Sequence, residues 1–192
     1  GDMMGSHGIM PKVKQVAWSE SSLVPFLIRY PAVTGKTGRV INTPINTPDI
    51  FPTLLGLAKI DIPGSIEGDD LSQMISDGAE IKNRAVLYMR VSPFVNSFPE
   101  ELKEYRAIRT EKYTYVRALD GPWLLFDDIK DPCQMDNLVS TTENTDLLRD
   151  MDNELQVLLS NINDDFRPGS FYISEWGFKP ASYGSVPVDL EE

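Results

Sequence analysis

The chain has 192 residues, of which 41% are apolar and 24% are charged, and this composition is typical of an ordinary globular protein. Its 29 acidic and 18 basic side chains give a formal net charge of −11. That balance argues against a nucleic-acid-binding surface, because phosphate backbones are bound by clustered lysine and arginine. No apolar run approaches the ~20 residues that span a bilayer. One cysteine and one histidine exclude an internal disulfide and a multi-histidine metal site within the chain.

The start of the chain is unusual. Residues 1–8 contain three glycines and lack the charged and apolar regions of a signal peptide. They also lack an initiator methionine, and we expect the chain to have been cut from a longer one. Glycines at this density predict a loop with positive φ angles or a close approach of the backbone. The alternative is a plain flexible terminus.

Three elements are predicted in the first half of the chain. Residues 23–30 form an apolar run bounded by serines and a proline, which predicts a strand buried on both faces in a parallel sheet. Thr47, Pro48 and Asp49 are typical of a helix start. A short helical turn is expected within residues 68–82. The first helix is predicted to pack on the strand through an apolar stripe formed by Ile50, Phe51, Leu54, Leu55 and Ala58.

The second half predicts an antiparallel sheet covered by one long helix. Residues 85–89 and 123–126 predict single strands, and residues 105–117 predict a hairpin with a three-residue connection. From Thr145 to Ile162, apolar residues recur at i, i+3, i+4 and i+7, which predicts an amphipathic helix against one face of the sheet. The fold class is therefore α/β, with a small α+β subdomain beginning near residues 80–85.

The candidate site residues lie mostly near the start. His7, Lys12 and Lys14 bring one imidazole and two ammonium groups into or just behind the glycine-rich loop. Ligands of open α/β sheets bind at loops outside the strand ends, and an ammonium group there stabilises an oxyanion. The alternative is a set of solvated loop side chains.

Other candidates are weaker. Arg106, Arg109 and Arg117 on the predicted hairpin either bind an anionic ligand or solvate an exposed face. Cys133 follows a turn proline, and it is predicted to be a packing or surface residue because no second histidine is available to activate it.

Six stretches match the motifs of one family in the same order. They are GDMMGSHG at 1–8, SESSLVPFLIRY at 19–30, TPDIFPTLLGLA at 47–58, GDDLS at 68–72, RAIRTEKYTY at 106–115, and LFD to NL at 125–138. Together they resemble the C-terminal portion of a formylglycine-dependent, arylsulfatase-like sulfatase of the alkaline phosphatase superfamily. The resemblance identifies residues 1–83 as the end of the α/β catalytic domain and residues 84–192 as an α+β subdomain with a tail.

The resemblance implies a sulfuric ester hydrolase that is inactive as this chain alone. The formylglycine nucleophile and the ligands of calcium, or another divalent cation, are expected upstream of the first residue. In the family, the lysine three residues after the His-Gly pair contacts the sulfate group. This lysine corresponds to Lys12 when the residues are counted from the His-Gly pair, and to Lys14 when they are counted back from Pro25. His7 matches the family's histidine in the same loop. Arg109 falls in the subdomain that edges the substrate pocket.

The resemblance further implies a sulfated small molecule or glycan as substrate and a periplasmic or secreted location. Nucleic acid and membrane partners are not expected. The chain alone is expected to expose apolar surface around Phe26, Ile28, Phe51 and Leu54. We therefore expect it to form oligomers, to swap strands, or to be less ordered in its first ~80 residues than in the remainder. Two alternatives stay open, namely a phosphonate or phosphate monoester hydrolase of the same superfamily and a non-catalytic interaction module.

Overall fold

A computed structural model describes residues 1–9, 11, 13–92 and 103–179, and these residues form two compact units. The sheet unit contains the described residues within the ranges 1–24, 87–108 and 113–179. The helical unit contains residues 25–86 and 109–112. The predicted domain boundary between residues 83 and 84 stays a prediction. No helix among the described residues is long and apolar enough to cross a membrane.

Four strands form one antiparallel sheet in sequence order, and the four strands predicted in the second half of the chain are confirmed. They are β1 (Val86–Arg90), β2 (Tyr105–Arg109), β3 (Tyr113–Ala118) and β4 (Gly121–Asp127). The helices are α1 (Ser19–Ser22), α2 (Pro31–Thr34), α3 (Thr47–Ala58), α4 (Ser72–Asp77), α5 (Thr145–Asn161) and α6 (Gly169–Glu175). Single 3-10 turns lie at Ser6–Gly8, Leu138–Ser140 and Thr142–Asn144. This mixture of helices and sheet agrees with the predicted α/β class.

Helix α5 covers one face of the sheet, as its amphipathic pattern predicts. Its buried residues recur every four positions, which places them on one side of the helix. They pack against the inward side chains of three strands, and this cluster consists of Met151, Leu155, Leu159, Ile108, Tyr115 and Leu125. The predicted α+β arrangement of one long helix on an antiparallel sheet is therefore confirmed.

The start of the chain covers the opposite face of the sheet. The Tyr88 hydroxyl of β1 donates to the carbonyl oxygen of Ala17 at 2.9 Å, which ties the segment to the edge of the sheet. Because alternate residues of a strand point to opposite faces, the two core clusters use alternate residues of β2. The second cluster contains Met3, Ile9, Val13, Val16, Ala17, Trp18, Tyr105, Ala107, Val116, Leu124 and Phe126. The site loop is thus built into the core of the sheet unit.

Helix α3 begins as predicted, but its buried face is not the predicted apolar stripe. Asn46 and Asp49 form a capping box at its start. The side chains of Phe51 and Leu54 are 55% and 47% exposed. The buried residues are Asp49, Pro52, Thr53 and Leu57. The short helix predicted within residues 68–82 is confirmed by α4.

The prediction of a buried strand at residues 23–30 is wrong for this structure. The segment is not assigned as a strand, and the side chains of Val24 and Leu27 are 66% and 86% exposed. A strand that is buried on both faces needs paired neighbours, and the described part of the chain supplies none for this segment. Phe26, Phe51 and Leu54 are exposed as predicted, whereas the oligomers that such a surface favours stay a prediction.

Candidate functional site

The glycine-rich start forms a tight loop that closes on itself. The backbone N–H of Met3 donates to the carbonyl oxygen of Val13 at 3.1 Å, and Ser6–Gly8 form a single helical turn. Gly5 has a φ of 98° and His7 a φ of 55°, so the backbone enters the left-handed region that the glycine density predicts. The positive φ angles of Gly5 and His7, which few residue types adopt, therefore determine the path of the loop backbone.

His7 faces the body of the sheet unit. Its side chain is 10% exposed, and its Nε2 lies 3.3 Å from Oε1 of Glu20. Its ring stacks on Trp18 with the ring centroids 5.3 Å apart. The stacked Trp18 ring holds the loop against the core of the sheet unit. This geometry fits the predicted role of His7 in shaping the site, and its catalytic role stays a prediction.

The two candidate lysines follow this loop in the sequence. Lys12 falls outside the described residues. Lys14 is exposed, and its carbonyl oxygen accepts a hydrogen bond of 2.6 Å from the Ser21 hydroxyl. Val13 beside it is buried in the core. The backbone at Lys14 is therefore anchored while its side chain is open to solvent, and the choice between the two lysines stays a prediction.

A buried polar network anchors the residue next to Glu20, and the sequence reasoning missed it. The backbone N–H of Ser19 donates to Oε1 of Gln134 at 2.8 Å. The Gln134 amide donates in turn to Oδ1 of Asp128 at 2.7 Å and to the Thr114 hydroxyl at 3.2 Å. Gln134, Asp128 and Thr114 are all buried. This network ties the segment that carries the histidine's carboxylate partner to strand β3.

Replacement of Gln134 by leucine is expected to lower the free energy of unfolding by about 1–3 kcal/mol. The leucine removes the acceptor of the Ser19 N–H and the amide donor to Oδ1 of Asp128 at a buried position. Urea unfolding measures the change, and the matched control is Met135→Leu at the neighbouring exposed position. Equal unfolding midpoints for Gln134→Leu and the unsubstituted chain would contradict the prediction.

The three hairpin arginines lie in different environments. Arg106 is 1% exposed, its Nε contacts the carboxylate of Asp164, and its guanidinium lies 4.5 Å from the centroid of the Phe166 ring. Arg117 contacts Asp152 at 3.0 Å. Both form ion pairs within the fold, so neither is presented as an open anion site. Arg109 ends β2 and is half-buried, and its part in substrate binding stays a prediction.

In the part of the chain that the structure describes, the remaining reactive or metal-ligating side chains do not build a second centre. Cys133 is exposed, which confirms that it is a surface residue. Among the described residues, no three histidine, cysteine, aspartate or glutamate side chains converge as ligands of a metal ion would. These residues therefore do not fit a calcium site. The upstream location of the cation ligands and of the formylglycine stays a prediction.

Comparison with known proteins identifies relatives over most of the chain. Residues 5–161 match the family described as N-sulphoglucosamine sulphohydrolase, C-terminal. The chain is 43% identical over 178 residues to the ulvan-active sulfatase of Formosa agariphila, covering 93% of the chain and 34% of that protein. It is 32% identical over 145 residues to the arylsulfatase of Clostridium perfringens, covering 74% of the chain and 28% of that protein.

A solved structure shares the fold. The structure of BT1596, a 2-O GAG sulfatase, matches 73% of this chain and 30% of its own chain, with a TM-score of 0.51 and 22% sequence identity. The chain spans about a third of the length of the two sulfatases compared above. Since the family match runs from the glycine-rich loop to the end of α5, the chain belongs to the sulfatases and corresponds to the C-terminal domain of the N-sulphoglucosamine sulphohydrolase family.

Proposed function

We propose that this chain is the C-terminal part of an enzyme that hydrolyses the sulfate ester of a sulfated small molecule or glycan. The observation that carries this proposal is the 43% identity to an ulvan-active sulfatase over 93% of the chain. The formylglycine nucleophile and the calcium or other divalent cation belong, in this proposal, to polypeptide outside the chain. A phosphonate or phosphate monoester hydrolase is the alternative that the same experiment separates.

Within this proposal the chain supplies a cation and part of the pocket wall. The ammonium group of Lys12 or Lys14 donates hydrogen bonds to a sulfate oxygen, where it stabilises the negative charge that develops in the transition state. His7 is held against Glu20 and Trp18, 3.3 Å from the carboxylate and 5.3 Å from the ring. It thereby keeps the loop in the shape that presents the lysine. Arg109 contacts the substrate from the subdomain.

The chain alone is expected to release no phenol from an aryl sulfate above the buffer rate, because the nucleophile lies elsewhere in this proposal. The measurement is 4-nitrophenol release from 4-nitrophenyl sulfate, with the full-length enzyme carrying formylglycine as the positive control. Turnover by the chain alone would refute its predicted inactivity. A full-length enzyme that hydrolyses a phenyl phosphonate ester but no sulfate would favour the alternative hydrolase. A full-length enzyme with neither activity would favour a non-catalytic module.

A further inference from the structure

A buried guanidinium in the sheet unit has donors without acceptors. Arg90 is the last residue of β1 and is 6% exposed. Among the described residues, neither its Nε nor its Nη1 has a hydrogen-bond partner. Burial lowers the pKa of Arg90, while the neighbouring Tyr105 and Glu104 raise it. A buried charge without hydrogen bonds is costly, and charged groups in proteins are normally paired. Arg90 therefore requires an acceptor.

Glu104 and Tyr105, the two titratable neighbours in the described part of the chain, do not provide this acceptor. Oε2 of Glu104 accepts a hydrogen bond of 2.9 Å from the backbone N–H of Gly169, and neither of the two orphaned Arg90 nitrogens bonds to Glu104. Burial raises the pKa of Tyr105 to about 12, against the lowering influence of Arg90. The Tyr105 hydroxyl is consequently protonated at neutral pH and carries no negative charge. The guanidinium is left with a nearby acid that does not satisfy its Nε and Nη1.

Arg90 belongs to the sheet face that the site segment covers. Side chains two residues apart on a strand point to the same face, so Arg90 shares the face of Tyr88. The Tyr88 hydroxyl donates to the carbonyl oxygen of Ala17 in the N-terminal segment. Arg90 is thus directed toward the layer that contains the glycine-rich loop.

Arg90 also lies at the end of the sheet where the loop histidine is held. In an antiparallel sheet the end of β1 adjoins the start of β2. Tyr105 lies at the start of β2, and the centroids of its ring and the Trp123 ring are 6.3 Å apart. The ring centroids of Trp123 and Trp18 are 5.6 Å apart, and His7 stacks on the ring of Trp18. A continuous series of ring contacts therefore connects the surroundings of Arg90 with the site loop.

We propose that Arg90 binds an anionic group, a sulfate or a carboxylate, of a ligand that reaches this end of the sheet. A guanidinium suits such oxyanions because its planar N–H donors match their oxygen geometry. Where the ligand is the substrate, which rests on the proposed function, the group is a second acidic group besides the sulfate ester that is hydrolysed. The substrate class is then a saccharide with at least two acidic groups.

The experiment follows the Nε–H signals of the arginines by NMR in the isotopically labelled 192-residue chain. Sodium sulfate is titrated in one series and sodium glucuronate in another, both at constant ionic strength. We expect the Arg90 Nε–H signal to shift until it saturates. Arg90→Lys is expected to remove this signal and to weaken binding by about 10- to 100-fold, as for hydrogen bonds to charged groups. Arg149→Lys, at an exposed position on α5, is the matched control and should bind as the unsubstituted chain does.

The two series distinguish the sources of the anion. Saturation by sulfate alone assigns a sulfated group, and saturation by glucuronate alone assigns a uronate. A folded chain whose Arg90 signal responds to neither anion overturns the proposal. If Arg90→Lys does not fold, the Arg90 signal is assigned in the unsubstituted chain by through-bond NMR experiments. The titration of the unsubstituted chain then tests the proposal without the variant. The readout is independent of turnover, so an active sulfatase with an unresponsive Arg90 refutes only this site.

A competing partner within the chain gives a different result. If Glu100→Gln or Glu101→Gln displaces the Arg90 signal and neither anion does, an acid of the chain satisfies the guanidinium. That outcome also overturns the proposal.

Discussion

Replacement of the lysine that we propose contacts the sulfate group, by alanine in the full-length enzyme, is expected to lower kcat/KM for an aryl sulfate by about 100- to 1,000-fold. The ammonium group acts on charge that grows between the ground state and the transition state, so its loss lowers the rate more than the affinity. Lys12→Ala and Lys14→Ala are measured separately. The spacing from the His-Gly pair favours Lys12, whereas the spacing to Pro25 favours Lys14. Steady-state kinetics with 4-nitrophenyl sulfate gives both parameters.

The matched control for these variants is Lys130→Ala, which removes the same charge from an exposed position of the sheet unit. It should retain the kcat/KM of the unsubstituted enzyme. If Lys12→Ala, Lys14→Ala and the double variant all retain full activity as well, the predicted oxyanion contact is wrong. A loss of kcat/KM in only one of the two single variants identifies the lysine that contacts the sulfate group.

Asp164→Ala is expected to lower the free energy of unfolding by about 3–5 kcal/mol, because it leaves the buried Arg106 without its counter-charge. Asp164 accepts hydrogen bonds from Arg106, from the Tyr172 hydroxyl at 2.6 Å and from the backbone N–H of Phe166 at 2.8 Å. Urea unfolding at neutral pH measures the loss. Asp165→Ala breaks only an exposed pair with Arg167 and should cost less than about 1 kcal/mol. Equal losses for the two variants would contradict this account.

The same carboxylate predicts a pH dependence. Burial raises the pKa of Asp164, but hydrogen bonds from Arg106, Tyr172 and Phe166 outweigh burial and hold the pKa below its ordinary value. Its stabilising contribution is therefore complete above the unfolded pKa of about 4 and is lost as pH falls through the folded pKa. The stability difference between Asp164→Ala and the unsubstituted chain should shrink on acidification below about pH 4. A difference that is constant with pH would show that the charge of Asp164 is not what stabilises the fold.

The sheet unit could be predicted because its signals are local. Strands β2 and β3 alternate between the two core clusters, and the spacing of Met151, Leu155 and Leu159 on α5 places all three on one face. Residues 23–30 show the limit of such reasoning. An apolar run indicates that a segment is suited to burial, but it does not indicate which element covers it.

Helix α3 shows a different limit. Its start follows from capping residues, which act within four positions of one another. Its buried face is instead set by a polar network, since Arg84 contacts Asp49 at 3.0 Å and Asp69 at 2.7 Å. Asp49 also accepts a hydrogen bond of 2.9 Å from the backbone N–H of Asp69. These partners are distant in sequence, so the apolar stripe alone pointed to the wrong face.

The candidate site was predictable only in part. The loop and His7 follow from glycine density and from the family motif. The Gln134 network could not be found in this way, because Ser19 and Gln134 are 115 positions apart. The burial of Arg90 could have been predicted from the sequence, although Arg90 was not among the predicted site residues. It is a charged residue in β1 at a position that strand alternation assigns to the covered face of the sheet.

The long separation between Ser19 and Gln134 has a consequence for biosynthesis. A ribosome adds about 5–20 residues per second, so the interval between these two residues is on the order of 10 s. For that time the apolar side chains of Met3, Val16 and Trp18 have emerged without the strands that later cover them. The nascent polypeptide therefore exposes apolar surface that favours aggregation until strand β4 has been made.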